Sequence, residues 1–350
     1  MVLRWILTGF YKKKLILLRS FLLLAVAFSS FTGWMAALDP SHRLSQYGHT
    51  SWKIQDGYFG GLAASITQTT DGYVWVGTAV GVFRFDGVQF VPWTSLSGEQ
   101  LPSNEVKSVR GAKDGSLWIA TGSGLVHWAH DRVDRYLTGE DVHEVIQDEK
   151  GQIWATAYRP GDYSHPICRV AGTDVHCYGY GTSEGAPVTP SGPLVEDPSG
   201  SLWVGHATGV VRWRPGSIQV YRPKALGSHD GLPNVYALAA AADGSVWVGM
   251  SAPGHGGGLQ RLVEGVMRPF VVPKLNSETL EVISLLIDRQ GTLWVGTQSQ
   301  GVYRIHGTDV DHFGSMDGLS GDGVNGFFED GEGTSGSLHR TVSICCATFA

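Results

Sequence analysis

The chain has 350 residues, and its 48 glycines and 12 tryptophans stand beside only 17% charged residues. That balance suits a turn-rich all-β protein with bulky anchors between sheets. A net charge of −6 leaves no basic footprint and argues against nucleic acid as a partner.

The N-terminus predicts an export segment over residues 1–38. Lys12, Lys13, Lys14 and Arg19 form a positive flank, and an uncharged stretch of 19 residues runs from Ser20 to Leu38. A charged flank before an apolar heart at Phe21–Phe28 reads as a signal peptide. The stretch is also long enough for an uncleaved signal anchor. Either alternative places the remainder outside the cytoplasm, in the periplasm.

Next comes a repeat. An aspartate, a glycine, an apolar residue and a tryptophan recur with minor spacing changes from Asp71, Asp114, Asp148, Asp197, Asp243 and Asp288. Their tryptophans are Trp75, Trp118, Trp154, Trp203, Trp247 and Trp294, at intervals of 43, 36, 49, 44 and 47 residues. Periods of roughly 40–50 residues are those of β-propeller blades. The copy at 235–262 shows the plan. Val235–Ala242 is a small, apolar strand for the tight space near an axis. Ala242–Ser245 turns, with Asp243 accepting local backbone bonds and Gly244 supplying the conformation. Val246–Gly249, Gly258–Leu262 and Val266–Val271 complete four antiparallel strands, one blade. The tryptophan sits on the second strand in every copy, which makes it packing between neighbouring sheets rather than a ligand platform. The small residue that follows (Gly77, Ala120, Ala155, Gly205, Gly249, Gly296) lets backbones approach. Residues 39–333 thus read as an all-β propeller of four-stranded antiparallel blades, with six full blades and a fragment of a seventh.

Within the third copy, Cys168 and Cys177 flank a short hairpin. A four-residue loop at Ala171–Asp174 sets Val170 against Val175, Arg169 against His176 and Cys168 against Cys177. Facing residues of a non-hydrogen-bonded pair are close enough for a disulfide, and export permits one. The alternative is two buried thiols.

Two loops between second and third strands are long, 157–166 and 251–258. Long loops on a rigid scaffold are where binding concentrates. Tyr158, Arg159, Tyr163 and His165 offer rings and hydrogen-bonding groups to a sugar-like or anionic ligand, and His255 lies on the second loop. Simple loop variation is the competing reading. Gly181-Thr-Ser183-Glu-Gly185 matches a hydrolase nucleophile string, but it lies in a Gly/Pro-rich link with no helical pattern after it. The Asp-Gly turns lack the further oxygens of a calcium loop, and no cofactor or metal motif is expected.

Three features go beyond a generic propeller: the TDGYVWVGT and RQGTLWVGT runs at 70–78 and 289–297, the Gly-apolar-x-Arg strands GVFRFDG, GVVRW and GVYRI, and the Asp-Gly-Leu links at 230–234 and 317–325. Together they resemble the two-component regulator propeller family, the exported sensor region of bacterial hybrid or NarL-type sensor histidine kinases, over residues 43–333. The resemblance implies a ligand-sensing module for a small molecule or oligosaccharide. In the family such propellers precede a β-sandwich, a membrane helix and a dimeric cytoplasmic kinase. The sequence carries no phosphoacceptor histidine helix or ATP-binding boxes, so the expectation is a sensor without its own transmitter and without enzymatic activity. The alternatives are a propeller enzyme (streptogramin-lyase-like or quinoprotein-like) and a protein-binding scaffold.

The end departs from the repeat. Val324–Asp330 opens a seventh copy, and Asp330–Gly333 supplies its turn, but no tryptophan follows; residues 334–350, with Cys345 and Cys346, read as an aberrant tail such as a change of reading frame would produce. His42–Gln55 resembles an outer strand able to complete the last blade on its third strand. With the seventh copy interrupted, that closure is expected to fail.

Overall fold

The structure is a computed structural model and describes residues 43–53, 56–57, 60–158, 167–178, 192–206, 209–223 and 234–329, with the strands 335–339 and 343–348. The export segment lies outside the described residues.

Each repeat begins with the same tight turn. The Gly151 N–H bonds to the Asp148 carbonyl at 2.9 Å, and the Asp148 N–H bonds to the Gln152 carbonyl at 2.9 Å. Gly151 adopts a φ of 82°, and the equivalent Gly72, Gly115, Gly200, Gly244 and Gly291 lie between 75° and 89°. A side chain there would be strained, so glycine fixes where the first strand hands over to the second.

Six sheets of four antiparallel strands are each built from contiguous chain, in sequence order from innermost to outermost strand. Blade 1 spans Ala63–Gln68 to Phe90–Pro92, blade 2 Val106–Gly111 to Arg132–Tyr136, and blade 3 Asp141–Gln147 to Asp174–Tyr178. Blade 4 spans Leu194–Glu196 to Ser217–Tyr221, blade 5 Val235–Ala240 to Val266–Pro269, and blade 6 Val282–Ile287 to Asp309–Phe313. A seventh four-stranded sheet takes Val324–Glu329, Ser335–His339 and Ser343–Thr348 from the C-terminal part and Gly48–Lys53 from the N-terminal part. Gly48–Lys53 pairs antiparallel with Ser343–Thr348, Gly48 opposite Thr348 and Lys53 opposite Ser343. The innermost strands touch their neighbours in turn, and the seventh touches the first. The expectation that closure fails is therefore corrected. A ladder is made by backbone groups, so Ser335–His339 and Ser343–Thr348 pair without the tryptophan consensus.

The core lies between blades, not within them. Each anchor indole packs on the next blade: Trp75 on Val106, Val109, Leu117 and Ile119, Trp118 on Val142, Val145 and Ile153, and Trp154 on Leu194, Leu202 and Val204. Trp203 meets Leu238, Val246 and Val248, Trp247 meets Val282, Leu293 and Val295, and Trp294 meets Val324. All six are buried, between 3% and 8% exposed. Burying an indole removes about 150–250 Å² from water, on the order of 4–6 kcal/mol as an upper bound.

The position two residues past the anchor, held by Thr156 in blade 3, explains the glycine preference of the other blades. A Cβ on Gly77 would stand 2.6 Å from Val106 Cγ1 of the next blade, and one on Gly249 would stand 2.5 Å from Val282 Cγ1. The aspartates, by contrast, fall into two positions rather than one. In three blades the aspartate opens the turn, and Asp148, Asp197 and Asp288 each accept the indole N–H of their own tryptophan at 2.9 Å. In blade 1 Thr69 holds that place and accepts from Trp75 at 2.8 Å. Asp71, Asp114 and Asp243 sit two residues later and serve the turn; Asp114 and Asp243 accept from Ser116 and Ser245 at 2.6 Å. The recurring arginine is the cross-strand partner of the anchor: Trp203 faces Arg212 and Trp247 faces Arg261. Their guanidiniums lie 5.6 and 5.0 Å from the indole centroids, a cation–π contact. In blade 2 His127 takes the arginine's place and stacks on Trp118 at 4.4 Å.

In blade 3, Cys168 faces Cys177, Arg169 faces His176 and Val170 faces Val175. The two cysteines form a disulfide across the third and outermost strands.

Two outcomes follow for stability. Trp203→Ala lowers the unfolding free energy in urea by about 3–5 kcal/mol, whereas exposed Val88→Ala stays within about 0.5 kcal/mol; equal losses would contradict interblade anchoring. Cys177→Ser costs about 2–3 kcal/mol by the chain-entropy account of a short closed loop, measured by thermal unfolding with and without reductant, and reductant leaves the variant's transition unmoved.

Candidate functional site

An innermost strand has its own blade along one edge and neighbouring innermost strands on its faces. Its side chains reach solvent only at the rims or along the central channel. On such strands the sequence favours small and apolar residues, so charged ones there are informative.

In six sheets the ladder between first and second strands slips by one residue near its start, between 63 and 65, 106 and 108, 142 and 144, 235 and 237, 282 and 284, and 324 and 326. A bulge re-aims the extra side chain. The extra residues are Ala64, Lys107, His143, Tyr236, Ile283 and Asn325, and they share the rim that carries the loops between second and third strands. That rim has two characters. Blades 2 and 3 supply Lys107, Asp141, His143 and Glu144, while blades 5 and 6 supply Tyr236 and Ile283. Tyr236 is 54% exposed, and Ile283 is half-buried.

The polar side is built across two blades. Lys107 Nζ lies 2.5 Å from Asp141 Oδ1 and 3.4 Å from His143 Nε2. His143 Nε2 lies 3.5 Å from Asp141 Oδ2, and its ring stacks on Tyr158 with centroids 5.6 Å apart and planes 21° apart. Burial pushes His143 below the ordinary histidine range; Lys107 adds to this, and Asp141 opposes it. The imidazole is therefore neutral near pH 7 and offers one donor and one acceptor.

Deeper in, Ser108 Oγ donates to Glu144 Oε1 at 2.8 Å. Burial pushes Glu144 upward, while the Ser108 hydroxyl and the charge of Arg110 pull it down. Arg110 occupies the place that Thr67 holds in blade 1, where Thr67 Oγ1 accepts the Gly111 N–H at 3.0 Å. Its surface is exposed, yet enclosing protein strips enough water to lower its pKa, with Glu144 opposing.

Of the residues singled out from sequence, Tyr158 closes the second strand of blade 3 and joins this cluster. Arg159, Tyr163 and His165 lie outside the described residues, as does the 181–185 string. His255 is not brought to Tyr158: it stands two blades away, exposed, with Nδ1 3.2 Å from Glu278 Oε1. Sequence reasoning missed Lys107, Arg110, Asp141, His143 and Glu144. Their signal was charge on strands that elsewhere read Val-Tyr-Ala-Leu-Ala-Ala.

A cleft of about 450 Å³ opens at the opposite rim between blades 4 and 5, lined by Asp197, Ser199, Trp203, Arg212, Tyr221 and Asp243 among others. Two of its carboxylates are matched, Asp197 by Arg212 at 3.0 Å and Asp243 by Arg261 at 2.6 Å, which suits a role in holding blades together. Among the described residues no group of three or more His, Cys, Asp or Glu side chains assembles a metal site.

His143 gives the site a pH signature. With its folded pKa below the ordinary 6.5, the unfolded chain takes up the proton first as pH falls, so stability drops below about pH 6.5. His143→Gln flattens the unfolding free energy between pH 7 and 5; an unchanged slope in that variant would contradict the buried neutral imidazole.

Residues 277–299, which run from the link into blade 6 through its anchor tryptophan, match the family model described as two component regulator propeller. Among solved structures, the extracellular domain of a B. thetaiotaomicron chain described as a hybrid two component system superposes with a TM-score of 0.69 at 19% identity, covering 87% of this chain and 42% of that one. The extracellular domain of a one component system from the same organism gives 0.68 at 17%, covering 87% and 40%. Virginiamycin B lyase from Staphylococcus aureus, a catalytically inactive form with quinupristin, gives 0.67 at 14%, covering 87% and 100%. At such identities the likeness is one of fold, and the chain spans about two fifths of the sensor ectodomains it matches. Among curated proteins, a proteasome subunit alpha of Methanoregula boonei aligns at 30% identity over 149 residues, 41% of this chain and 59% of that protein. The chain thus carries a repeat that matches the two component regulator propeller model at 277–299, on a propeller fold similar to that of sensor extracellular domains.

Proposed function

We propose that this propeller is the ligand-sensing part of an exported two-component sensor, working in the periplasm. It binds a small molecule or oligosaccharide at the rim of blades 2 and 3 and passes the change to a membrane-linked histidine kinase. The observation that carries the reading is the repeat match at 277–299 on a fold shared with sensor extracellular domains. The disulfide Cys168–Cys177 supports an oxidising compartment. The rim supports binding, because Lys107, His143 and Tyr158 bring a charge, a neutral imidazole and a ring to one place on a rigid scaffold.

The lyase reading rests on a fold likeness at 14% identity, and no described residue set supplies its metal chemistry. The sensing reading is tested by thermal shift of the full chain against plant and host polysaccharide fragments and small organic acids and amines. One class raises the melting temperature by several degrees, as saturation at about 100 times Kd requires, and Tyr158→Ala abolishes the shift. If no class shifts the transition, or Tyr158→Ala leaves it intact, the reading is wrong.

A further inference from the structure

We propose that the outer edge of blade 4 is a self-association surface, where Ser217–Tyr221 pairs antiparallel with the same strand of a second copy of this chain. The surface is separate from the rim of blades 2 and 3, and the pairing needs no ligand.

Each blade ends in an outermost strand whose far side meets no other strand among the described residues. Such an edge offers unpaired backbone groups to any passing strand, and proteins blunt it with charge, proline or brevity. Most edges of this ring are blunted. Blade 1 ends in the short Phe90–Pro92 with its proline, and blade 5 carries Arg268 and Pro269. Blade 2 carries Arg132, Asp134 and Arg135, blade 3 Asp174 and His176, and blade 6 Asp309, Asp311 and His312. The seventh sheet ends in Gly48–Lys53, with His49 and Lys53. Among the described residues blade 4 alone presents an outermost strand without charge, histidine or proline, Ser-Ile-Gln-Val-Tyr. Ile218 is 37% exposed there and Val220 46%.

The register of the hairpin shows which groups face outward. Arg214 pairs with Ser217 across the turn at Pro215 and Gly216, followed by Trp213 with Ile218 and Arg212 with Gln219. The pair that closes a two-residue hairpin loop exchanges backbone bonds, and alternate pairs along the ladder do the same. Ile218 and Val220 therefore turn their N–H and C=O groups away from the blade. A two-fold axis through Gln219 sets Ile218 of each copy against Val220 of the other. Both are bonded pairs in this register, so every outward N–H of these residues finds a carbonyl. Their apolar side chains share one face of the joined sheet. On the other face Ser217 meets Tyr221, and Gln219 meets its own copy. The first charge beyond the strand, Arg222, falls opposite Gly216, so like charges do not oppose. An edge that satisfies itself about a two-fold axis closes at two copies, which makes a second copy the occupant. The strand has five residues, well short of the roughly 20–30 a side of a standard interface, so the contact is weak and reversible.

The test uses the full chain. In sedimentation velocity the mass rises from monomer toward dimer as concentration climbs to about 500 µM, where weak contacts populate. Val220→Lys gives this edge the charge that other blades carry and holds the chain monomeric, while Val220→Ile keeps the dimer. Circular dichroism reports that each variant folds as the parent does. Gln219→Cys reads the register: across the axis the two Cα atoms at position 219 stand about 4.5 Å apart, within disulfide reach. Mild oxidation crosslinks that variant at position 219, mapped by mass spectrometry. Proximity makes this about tenfold faster than crosslinking of Val88→Cys, whose site is 79% exposed. A chain that stays monomeric throughout, a dimer that survives Val220→Lys, or equal crosslinking at both positions overturns the proposal. If Val220→Lys fails to fold, the crosslinking comparison decides alone.

Discussion

Everything in this propeller depends on an indole of one blade lying on the innermost strands of the next. A four-stranded sheet exposes two faces, and a chain with so few charged residues cannot leave both in water. Stacking sheet on sheet buries the faces, and the anchor tryptophan fills the gap between them. The glycine two residues past it in most blades sets how close the sheets come: at Gly77 and Gly249 even a single added carbon would collide with a valine of the next blade. Size on one residue and absence of size on the next are two halves of one fit. Because each interface is made by two neighbours, no blade is complete alone.

This fit was legible in the sequence because it is periodic. Six tryptophans at near-constant spacing announce six equivalent environments, and the fold follows without knowledge of any contact. The Cys168–Cys177 register was legible for a similar reason: alternation by two, together with a short loop, leaves one facing partner for each residue. The aspartates misled, since counting from the glycine conceals that Asp148 and Asp114 occupy different places in the turn. One caps an indole, and the other holds a serine. The end of the chain was harder still. Side-chain consensus is silent about backbone ladders, so Ser335–His339 and Ser343–Thr348 look like the end of the repeat and yet pair with each other, Ser343–Thr348 pairing also with the N-terminal Gly48–Lys53.

The candidate site was only partly legible, because its residues do not repeat. Tyr158 drew notice through its long loop. Lys107, His143 and Tyr236 share a structural position that only strand pairing reveals, since a bulge has no fixed sequence signature. The scaffold thus separates its two tasks. The second strands carry the invariant packing, while the bulges at one rim are free to vary around the channel. Charge gathered on blades 2 and 3 opposite apolar residues on blades 5 and 6 gives that rim a direction, which a seven-sheet ring with identical rim residues would lack.

If the blades hold together only through one another, the ring unfolds as one unit. Equilibrium unfolding in urea, followed at once by tryptophan fluorescence and by far-ultraviolet circular dichroism, measures this directly. The account predicts a single transition with coincident midpoints, because the indoles leave their interfaces when the strands melt. Fluorescence that changes at a lower urea concentration than the backbone signal would show blades that survive without their anchors, and would contradict it.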